Sequence, residues 1–164
     1  MDALKVLKER RSVRKFKDKP IDDKVLLDIL LCAKFAPSAN NLQPWHFVVV
    51  TSRKMLRKIA SLTDYGKFIA NCAACIVVCS EPVKYFLEDC SAATENILLA
   101  AKAYGLGSCW VAGHKKKYAE KIKKLLWIPP KYKLVSLIAL GYAAGKLKPH
   151  SKKRLEEVLH WEKF

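Results

Sequence analysis

Three arginines and a serine lie close together near the amino end of the chain, in the sequence Arg10-Arg11-Ser12-Val13-Arg14. The chain has 25 lysines but only six arginines, so half of its arginines fall within five residues. A guanidinium group is a planar fork of donors that suits a phosphate, and a serine hydroxyl adds another donor. We therefore interpret this cluster as an anion site rather than as an ordinary solvated basic surface.

A second candidate is the polar loop Pro37-Ser38-Ala39-Asn40-Asn41-Leu42-Gln43, which lies between a predicted helix and a predicted strand. Its small residues would let a flat ligand approach, and the amides of Asn41 and Gln43 offer donors and acceptors that suit an imide edge. Loops between rigid elements commonly carry binding groups. Taken alone, however, the loop is better explained as a turn.

Two later segments contain weaker signals. The stretch Gly105-Leu106-Gly107-Ser108-Cys109-Trp110 differs from the dinucleotide-binding pattern, because it follows a helix and has tryptophan in place of the last glycine. Gly113 could bring backbone N–H groups close to a ring system. The segment from His150 to Glu157, which holds Lys152, Lys153 and Arg154, is either a charged linker or one wall of a basic pocket.

The spacing of Cys72, Cys75 and Cys79 is compatible with a metal or redox site. The residues between them are apolar, however, and Cys75, Val77 and Cys79 alternate on one face of a predicted buried strand. Free cysteine is among the most buried residue types. We therefore expect packed thiols and no metal, and the lack of a secretion signal argues against a disulfide framework.

Around these residues the sequence predicts one α/β domain spanning residues 1–164, with helices outnumbering strands and covering a small sheet on both sides. Hydrophobic periodicity and helix-capping residues locate these elements. The predicted helices are 2–10, 20–36, one that begins after Ser52, 88–104 and 116–127; the predicted strands are 45–51, 74–79, 109–112 and 133–142.

The net charge of +16 requires an anionic partner, an anionic ligand or an explanation from habitat. A composition rich in lysine, with one glutamine and four asparagines, is typical of thermophiles. One alternative is a nucleic-acid-binding protein, because residues 114–133 hold eight lysines and one glutamate. That stretch contains no arginine and no groove-reading motif, so we do not expect nucleic acid as a partner.

The chain contains no apolar run of about 18 residues and its amino end lacks an apolar signal core. We therefore expect a cytoplasmic protein with no membrane partner.

Together, four segments resemble the FMN-dependent nitroreductase family, in its short subgroup. They are RRSVRKF, PSANNLQPWHFVVV, NILLAAKAYGLGSCWVAG and KKRLEEVLHW, and they span nearly the whole chain. The resemblance implies an α+β sandwich with a small mixed, largely antiparallel sheet flanked by helices. It also implies a homodimer with two FMN molecules at its interface, and a tail, residues 146–164, that packs on or across the dimer.

The resemblance assigns cofactor-binding roles to particular residues. Arg10, Arg11 and Ser12 would hold the FMN phosphate, and Arg14 would lie near the pyrimidine edge of the flavin. The loop would reach the flavin bound mainly by the other subunit, and the tail would close on the phosphate. The matching loop residues are Pro37, Ser38, Ala39, Asn41 and Gln43; Ala112 and Gly113 match the backbone beside flavin N5; Lys152, Lys153 and Arg154 match the basic tail positions.

The resemblance also implies the activity. NADH or NADPH would give a hydride to flavin N5, and a flat acceptor would then take it in a ping-pong sequence. Nitroaromatics, quinones, enones and flavins all fit as acceptors, and no catalytic side chain is required because the cofactor supplies the chemistry. An enzyme of this fold without NAD(P)H reductase activity stays an alternative. Four residues receive no role from this reasoning: Tyr65, Lys67, Phe68 and His114.

Overall fold

A computed structural model describes residues 2–145, 147 and 151–164. Within them lie five α-helices and four strands, together with short 3-10 turns at Ala39–Asn41, Lys67–Asn71 and Leu155–Glu157. None of the helices in this part of the chain has both the length and the hydrophobicity that crossing a bilayer requires. The helices are α1 (Ala3–Glu9), α2 (Asp23–Lys34), α3 (Arg53–Leu62), α4 (Phe86–Ala103) and α5 (Ala119–Leu125); the strands are β1 (Trp45–Val50), β2 (Ala74–Ser80), β3 (Gly107–Ala112) and β4 (Lys133–Gly141).

The four strands form one sheet in the order β1-β2-β4-β3, and every neighbouring pair is antiparallel. A parallel pairing is also present in the described residues. It is an isolated bridge between Ser12 and Ser108, at the outer edge of β3. The predicted small, mixed and largely antiparallel sheet flanked by helices is therefore confirmed.

Two hydrophobic cores hold the sheet from its two faces. Ile76 and Val78 of β2 pack in the core that includes α2 and α4, whereas Cys75, Val77 and Cys79 pack in the core that includes α3 and α5. The predicted alternation of Cys75, Val77 and Cys79 is thus confirmed. Burying one aliphatic side chain contributes roughly 1.5–3 kcal/mol, so both cores stabilise the sheet substantially.

The cysteine side chains are free thiols, and all except Cys32 are buried. Burial raises the pKa of Cys72 and of Cys90 to about 11, and that of Cys79 to about 12. In the described ranges, no group of three or more His, Cys, Asp or Glu side chains is arranged to hold a metal ion.

Helix α5 is shorter than the predicted helix over 116–127. The N–H groups of Gly113 and His114 both donate to the Val135 carbonyl, at 2.9 and 3.2 Å, which holds the chain against β4. Lys115 then adopts a φ of 56°, in the left-handed region, before α5 begins at Ala119. Trp127 also has a left-handed φ, of 54°. A helix cannot propagate through that residue, so α5 ends at Leu125 and does not reach the predicted end.

Candidate flavin site

Residues Arg10–Phe16, which we call the amino-terminal strip, run in extended form beside the sheet. The Val13 N–H donates to the Ser108 carbonyl at 2.9 Å, and the Ala144 N–H donates to the Lys15 carbonyl at 2.9 Å. The strip is therefore attached by backbone hydrogen bonds to β3 at one point and to the segment just after β4 at another.

Two glycines make room for the strip. Gly107 of β3 and Gly141 of β4 are directly paired in the sheet. A Cβ atom on Gly107 would lie 2.7 Å from the side chain of Val13, and one on Gly141 would lie 2.8 Å from the ring of Phe16. Only glycine allows a neighbouring chain segment to approach this closely, so these two residues fix where the strip lies.

Three of the predicted anion-binding residues alternate along the strip. Arg10, Ser12 and Arg14 are two residues apart in an extended segment, which places them on the same face of its backbone, and each of them acts on the pKa of the Cys109 thiol. Burial raises the pKa of that thiol, while Arg14, a hydrogen bond from Ser12 and Arg10 each act to lower it. Two guanidinium groups and a hydroxyl therefore share one face of the strip, and this donor set suits a phosphate and an anionic ring edge.

Arg11 is oriented differently. Its Nη1 donates to the carbonyls of Lys8 and Arg10, both at 2.8 Å, which ties the guanidinium to the end of α1. Arg11 nevertheless lines a cavity of about 120 Å³ together with Arg10, Lys102 and Ser108. The structure thus places Arg11 in the same cavity as Arg10, whereas Ser12 and Arg14 do not line that cavity.

Two of the cations that line this cavity form ion pairs with carboxylates. Arg10 Nε lies 3.4 Å from Glu95 Oε1, and Lys102 Nζ lies 3.2 Å from Glu9 Oε2. Sequence reasoning missed Lys102, whose only signal was its position in the last turn of α4, just before the glycine-rich segment.

The polar loop has a specific closed shape. The Ser38 hydroxyl accepts the Gln43 N–H at 2.9 Å, and Gln43 Nε2 donates to the Asn41 carbonyl at 3.3 Å. Asn40, Asn41 and Gln43 all have φ between 50° and 54°. Non-glycine residues in this region are uncommon, and Asn tolerates it best. Pro37 and Asn41 are exposed, and Ser38 and Ala39 are half-buried.

A buried carboxylate anchors this loop to α4. Asp89 Oδ1 accepts the Ala39 N–H at 3.0 Å, although the residue is only 5% exposed. Its second oxygen, Oδ2, is buried and has no hydrogen-bond partner among the described residues. Burying a carboxylate is costly, so the loop position is maintained at the expense of stability. Sequence reasoning missed Asp89 because an acidic residue near a helix start is typical of a solvated helix.

At the far end of β3, Ala112 is exposed and Gly113 is buried. The Gly113 N–H donates to Val135, and a Cβ atom on Gly113 would lie 2.7 Å from Leu134 Cγ. Gly113 is therefore packed against β4, and Ala112 is the member of this pair that is open to a ligand.

The predicted cofactor residues form two groups within one chain. Ala112 lies four residues along β3 from Ser108, or about 13 Å in an extended strand. The loop lies near the Ala112 end, because α4 contacts the loop through Asp89 and its Phe86 ring packs 5.2 Å from the ring of His114. The strip forms the other group.

Within the described residues, no hydrogen bond or ion pair joins the basic tail residues to the strip. Lys152, Lys153 and Arg154 are exposed, and Arg154 forms a hydrogen bond with Glu157, at 3.3 Å within the tail. His150, which the sequence reasoning included in this segment, lies outside the described residues, as do Lys146, Lys148 and Pro149. The described tail contains only one 3-10 turn, and all of its residues are exposed.

Comparison with known proteins points to one family. The profile of the Nitroreductase family matches residues 7–72 and 63–142 of this chain. A protein of Archaeoglobus fulgidus with the provisional name NADH dehydrogenase/NAD(P)H nitroreductase is 43% identical over 148 residues, which cover 86% of this chain and 85% of that protein.

Solved structures agree with the sequence match. A protein from Bacteroides thetaiotaomicron, with the same provisional name, superposes with a TM-score of 0.93 at 32% identity, covering 99% of this chain and 98% of its own. An FMN-dependent nitroreductase from Clostridium difficile superposes with a TM-score of 0.92 at 31% identity, covering 98% and 99%. The matches extend over nearly the full length of both partners.

Proposed function

This chain belongs to the nitroreductase family, and we propose that its site holds FMN and serves to pass a hydride from NADH or NADPH to a flat electron acceptor. The observation that carries the proposal is that Arg10, Ser12 and Arg14 alternate along the amino-terminal strip, which hydrogen bonds to Ser108 and close packing over Gly107 hold beside β3. When bound, FMN supplies the hydride chemistry at N5 in a ping-pong sequence, with a nitroaromatic, quinone, enone or flavin as acceptor.

In this proposal, different residues of the strip bind different parts of FMN. Arg10 and Ser12 hold the phosphate, and Arg11 lines the same cavity as Arg10. Arg14 lies at the pyrimidine edge, where its guanidinium stabilises the negative charge that two-electron reduction leaves on the ring. Lys152, Lys153 and Arg154 of the tail complete the phosphate site.

The Arg14 assignment has a direct test. An opposite charge nearby shifts a pKa by ~1–3 units, and one unit corresponds to ~1.4 kcal/mol, or about 30 mV for a two-electron couple. We expect Arg14→Ala to lower the flavin potential by roughly 30–90 mV on this basis. An unchanged potential rejects the assignment.

The polar loop and the end of β3 approach the ring. Pro37, Ser38, Ala39, Asn41 and Gln43 contact the flavin of the partner subunit, and Asp89 positions them through its bond to the Ala39 N–H. The backbone at Ala112 and Gly113 lies beside N5.

Apolar surface supports a homodimer. Leu4 and Leu7 of α1 are 61% and 56% exposed, and a groove of about 340 Å³ lies between α1, α2 and α4. Exposed apolar patches of this kind mark interaction sites. The tail offers a matching set of exposed apolar side chains, so we place the tail of one subunit across the other. The tail set is Leu155, Val158, Leu159, Trp161 and Phe164.

Nucleic acid is not proposed as a partner, because the basic stretch over 114–133 has no arginine and no groove-reading motif, and one of its eight lysines is not available at the surface. Lys123 is only 4% exposed, and its Nζ donates to the carbonyls of Pro130 and Tyr132 at 3.0 and 2.9 Å. The free thiols of the described chain favour a reducing compartment, and we propose the cytoplasm.

The test begins with the visible spectrum of the purified protein. We expect the bands of oxidised flavin, release of FMN on denaturation, and oxidation of NADH or NADPH with menadione or a nitrofuran as acceptor. Bound FMN without turnover would leave the fold assignment intact and favour a flavoenzyme that lacks reductase activity. A monomer with intact FMN by light scattering would contradict the dimer.

A further inference from the structure

A second and larger cavity adjoins the amino-terminal strip at Arg14. Its volume is about 490 Å³, and it is lined by charged residues from the strip and from α3. Three of the six arginines of the chain line it, although lysine outnumbers arginine by about four to one. The lining consists of Arg14, Lys15, Phe16, Asp18, Arg53, Arg57, Ala70, Asn71 and Ala144.

Arg53 is fixed at one wall of this cavity. Its Nη1 donates to the Cys72 carbonyl at 3.0 Å, and its Nη2 pairs with Asp18. Arg57 follows four residues later on α3, so the two guanidinium groups project from the same face of the helix. Asp18 is the one acidic residue in the lining, and Arg53 already pairs with it.

The remaining cations have no acidic partner in the described part of the chain. Arg14, Lys15 and Arg57 form no ion pair there, and Arg14 lies 5.9 Å from the ring centroid of Phe68. Because Arg14 is assigned to the flavin, Lys15 and Arg57 leave two uncompensated positive charges at this cavity. These charges attract an anion, and arginine suits a phosphate because its planar fork can bond two oxygens at once.

We propose that this cavity binds a phosphate monoester carried by a nucleotide that docks beside the flavin. The proposal rests on the proposed function, because Arg14 is shared with the flavin site and places the anion next to the ring. Two reactants can carry such a group: NADPH, through its 2′-phosphate, or a free flavin mononucleotide acceptor. In the first case the cavity makes the enzyme selective for NADPH over NADH.

Binding measurements test whether the cavity holds the 2′-phosphate of NADPH. NADP⁺ and NAD⁺ differ only in the 2′-phosphate, and we would titrate each into the FMN-loaded protein by calorimetry. NADP⁺ should bind at least about tenfold more tightly, because one charge-assisted contact gives about that factor. Arg57→Gln should remove the difference and Arg57→Lys should keep part of it. Lys58→Gln, an exposed neighbour on α3 outside the lining, should leave the difference unchanged.

Kinetics distinguish the two sources of phosphate. If NADPH is the ligand, Arg57→Gln raises the KM for NADPH about tenfold and leaves that for NADH unchanged. If a flavin acceptor is the ligand, the same change raises the KM for FMN but not for riboflavin, and NADP⁺ binds no better than NAD⁺. Equal behaviour of both donors and of both flavins, in an enzyme that holds FMN and oxidises NADH, overturns the cavity proposal and spares the proposed function. Failure to hold FMN overturns the function itself.

Discussion

The amino-terminal strip and the carboxyl-terminal tail are both predicted to hold the same phosphate, yet they are held very differently. The strip is bonded to Ser108 and Ala144 and packs over Gly107 and Gly141. Every described residue of the tail from 151 onward is exposed. One half of the proposed phosphate site is therefore built into the folded chain, whereas the other half lies exposed at the surface of the subunit.

This difference separates two kinds of cofactor contact. Changes under the strip should alter stability and FMN affinity together, because the strip is part of the sheet. Changes in the tail should alter assembly and FMN affinity with little effect on the fold of one subunit.

The largest expected effect comes from removing residues 151–164. We expect the dimer to dissociate and FMN affinity to fall by about 100-fold or more, because several charge-assisted contacts are lost and each contributes roughly tenfold. Light scattering and a flavin titration would measure the two effects. A matched control replaces Lys152, Lys153 and Arg154 with glutamine, which should weaken FMN binding while the dimer persists. A truncated chain that stays dimeric and keeps FMN contradicts the assigned role of the tail.

Gly107→Ala should have the next largest effect. The added Cβ would lie 2.7–2.8 Å from three side-chain atoms of Val13, and overpacking of this kind costs about 1–3 kcal/mol. Displacing the strip should also weaken FMN binding, which denaturant titration and flavin fluorescence would report together. Gly145→Ala is the control. Gly145 has a φ of 80° but no atom within 4 Å of its Cβ position, and it lines none of the cavities described above, so its substitution should cost stability without releasing FMN.

Asp89→Ala tests a region held less firmly than the strip and more firmly than the tail. Losing the bond to the Ala39 N–H should cost about 1–3 kcal/mol at the loop. Removing a buried carboxylate with an unpartnered oxygen offsets part of that cost. The expected result is faster amide exchange at Ala39 and little change in the strip. The exposed neighbour Glu88→Ala serves as control, and unchanged exchange at Ala39 would show that Asp89 does not hold the loop.

The smallest expected effect is a decrease in the free energy of unfolding at alkaline pH. Cys72, Cys79 and Cys90 have folded-state pKa values raised from 9.0 to about 11, 12 and 11. An unfolded thiol releases its proton above pH 9 while the folded one keeps it, so stability is complete below pH 9 and falls as pH rises toward 11. Each thiol contributes at most about 1.4 kcal/mol per pH unit.

Denaturant midpoints between pH 8 and pH 10.5 would measure this slope. Cys79→Ala should reduce it, and removing residues 151–164 should not, because none of the shifted thiols lies in the tail. A slope that depends on the tail would show that the tail and the sheet are coupled after all.

The sequence predicted the elements with local signals well and the site geometry only in part. Alternation at Cys75, Val77 and Cys79 located β2 and its two faces, because burial on a strand has a period of two residues. The arginine cluster was also evident, because its members lie within five residues of one another in the sequence. The distinct orientation of the Arg11 guanidinium was not predicted, because it depends on hydrogen bonds to backbone carbonyls at the end of α1.

Asp89, Arg53 and Arg57 escaped sequence reasoning for a related reason. Each occurs on a helix where a charged residue is usually solvated, and only the tertiary fold places Asp89 under the loop and the arginines around a cavity. The roles of Lys152, Lys153 and Arg154 stay predictions, because a single chain gives the tail nothing to bind.

The attachment of the strip also sets the order in which the enzyme can mature. The strip is synthesised long before its hydrogen-bond partners at Ser108 and Ala144, which lie far along the chain. The strip can therefore take its place beside the sheet only after Ala144 has been added. FMN binding at the proposed phosphate site has to follow that point in synthesis.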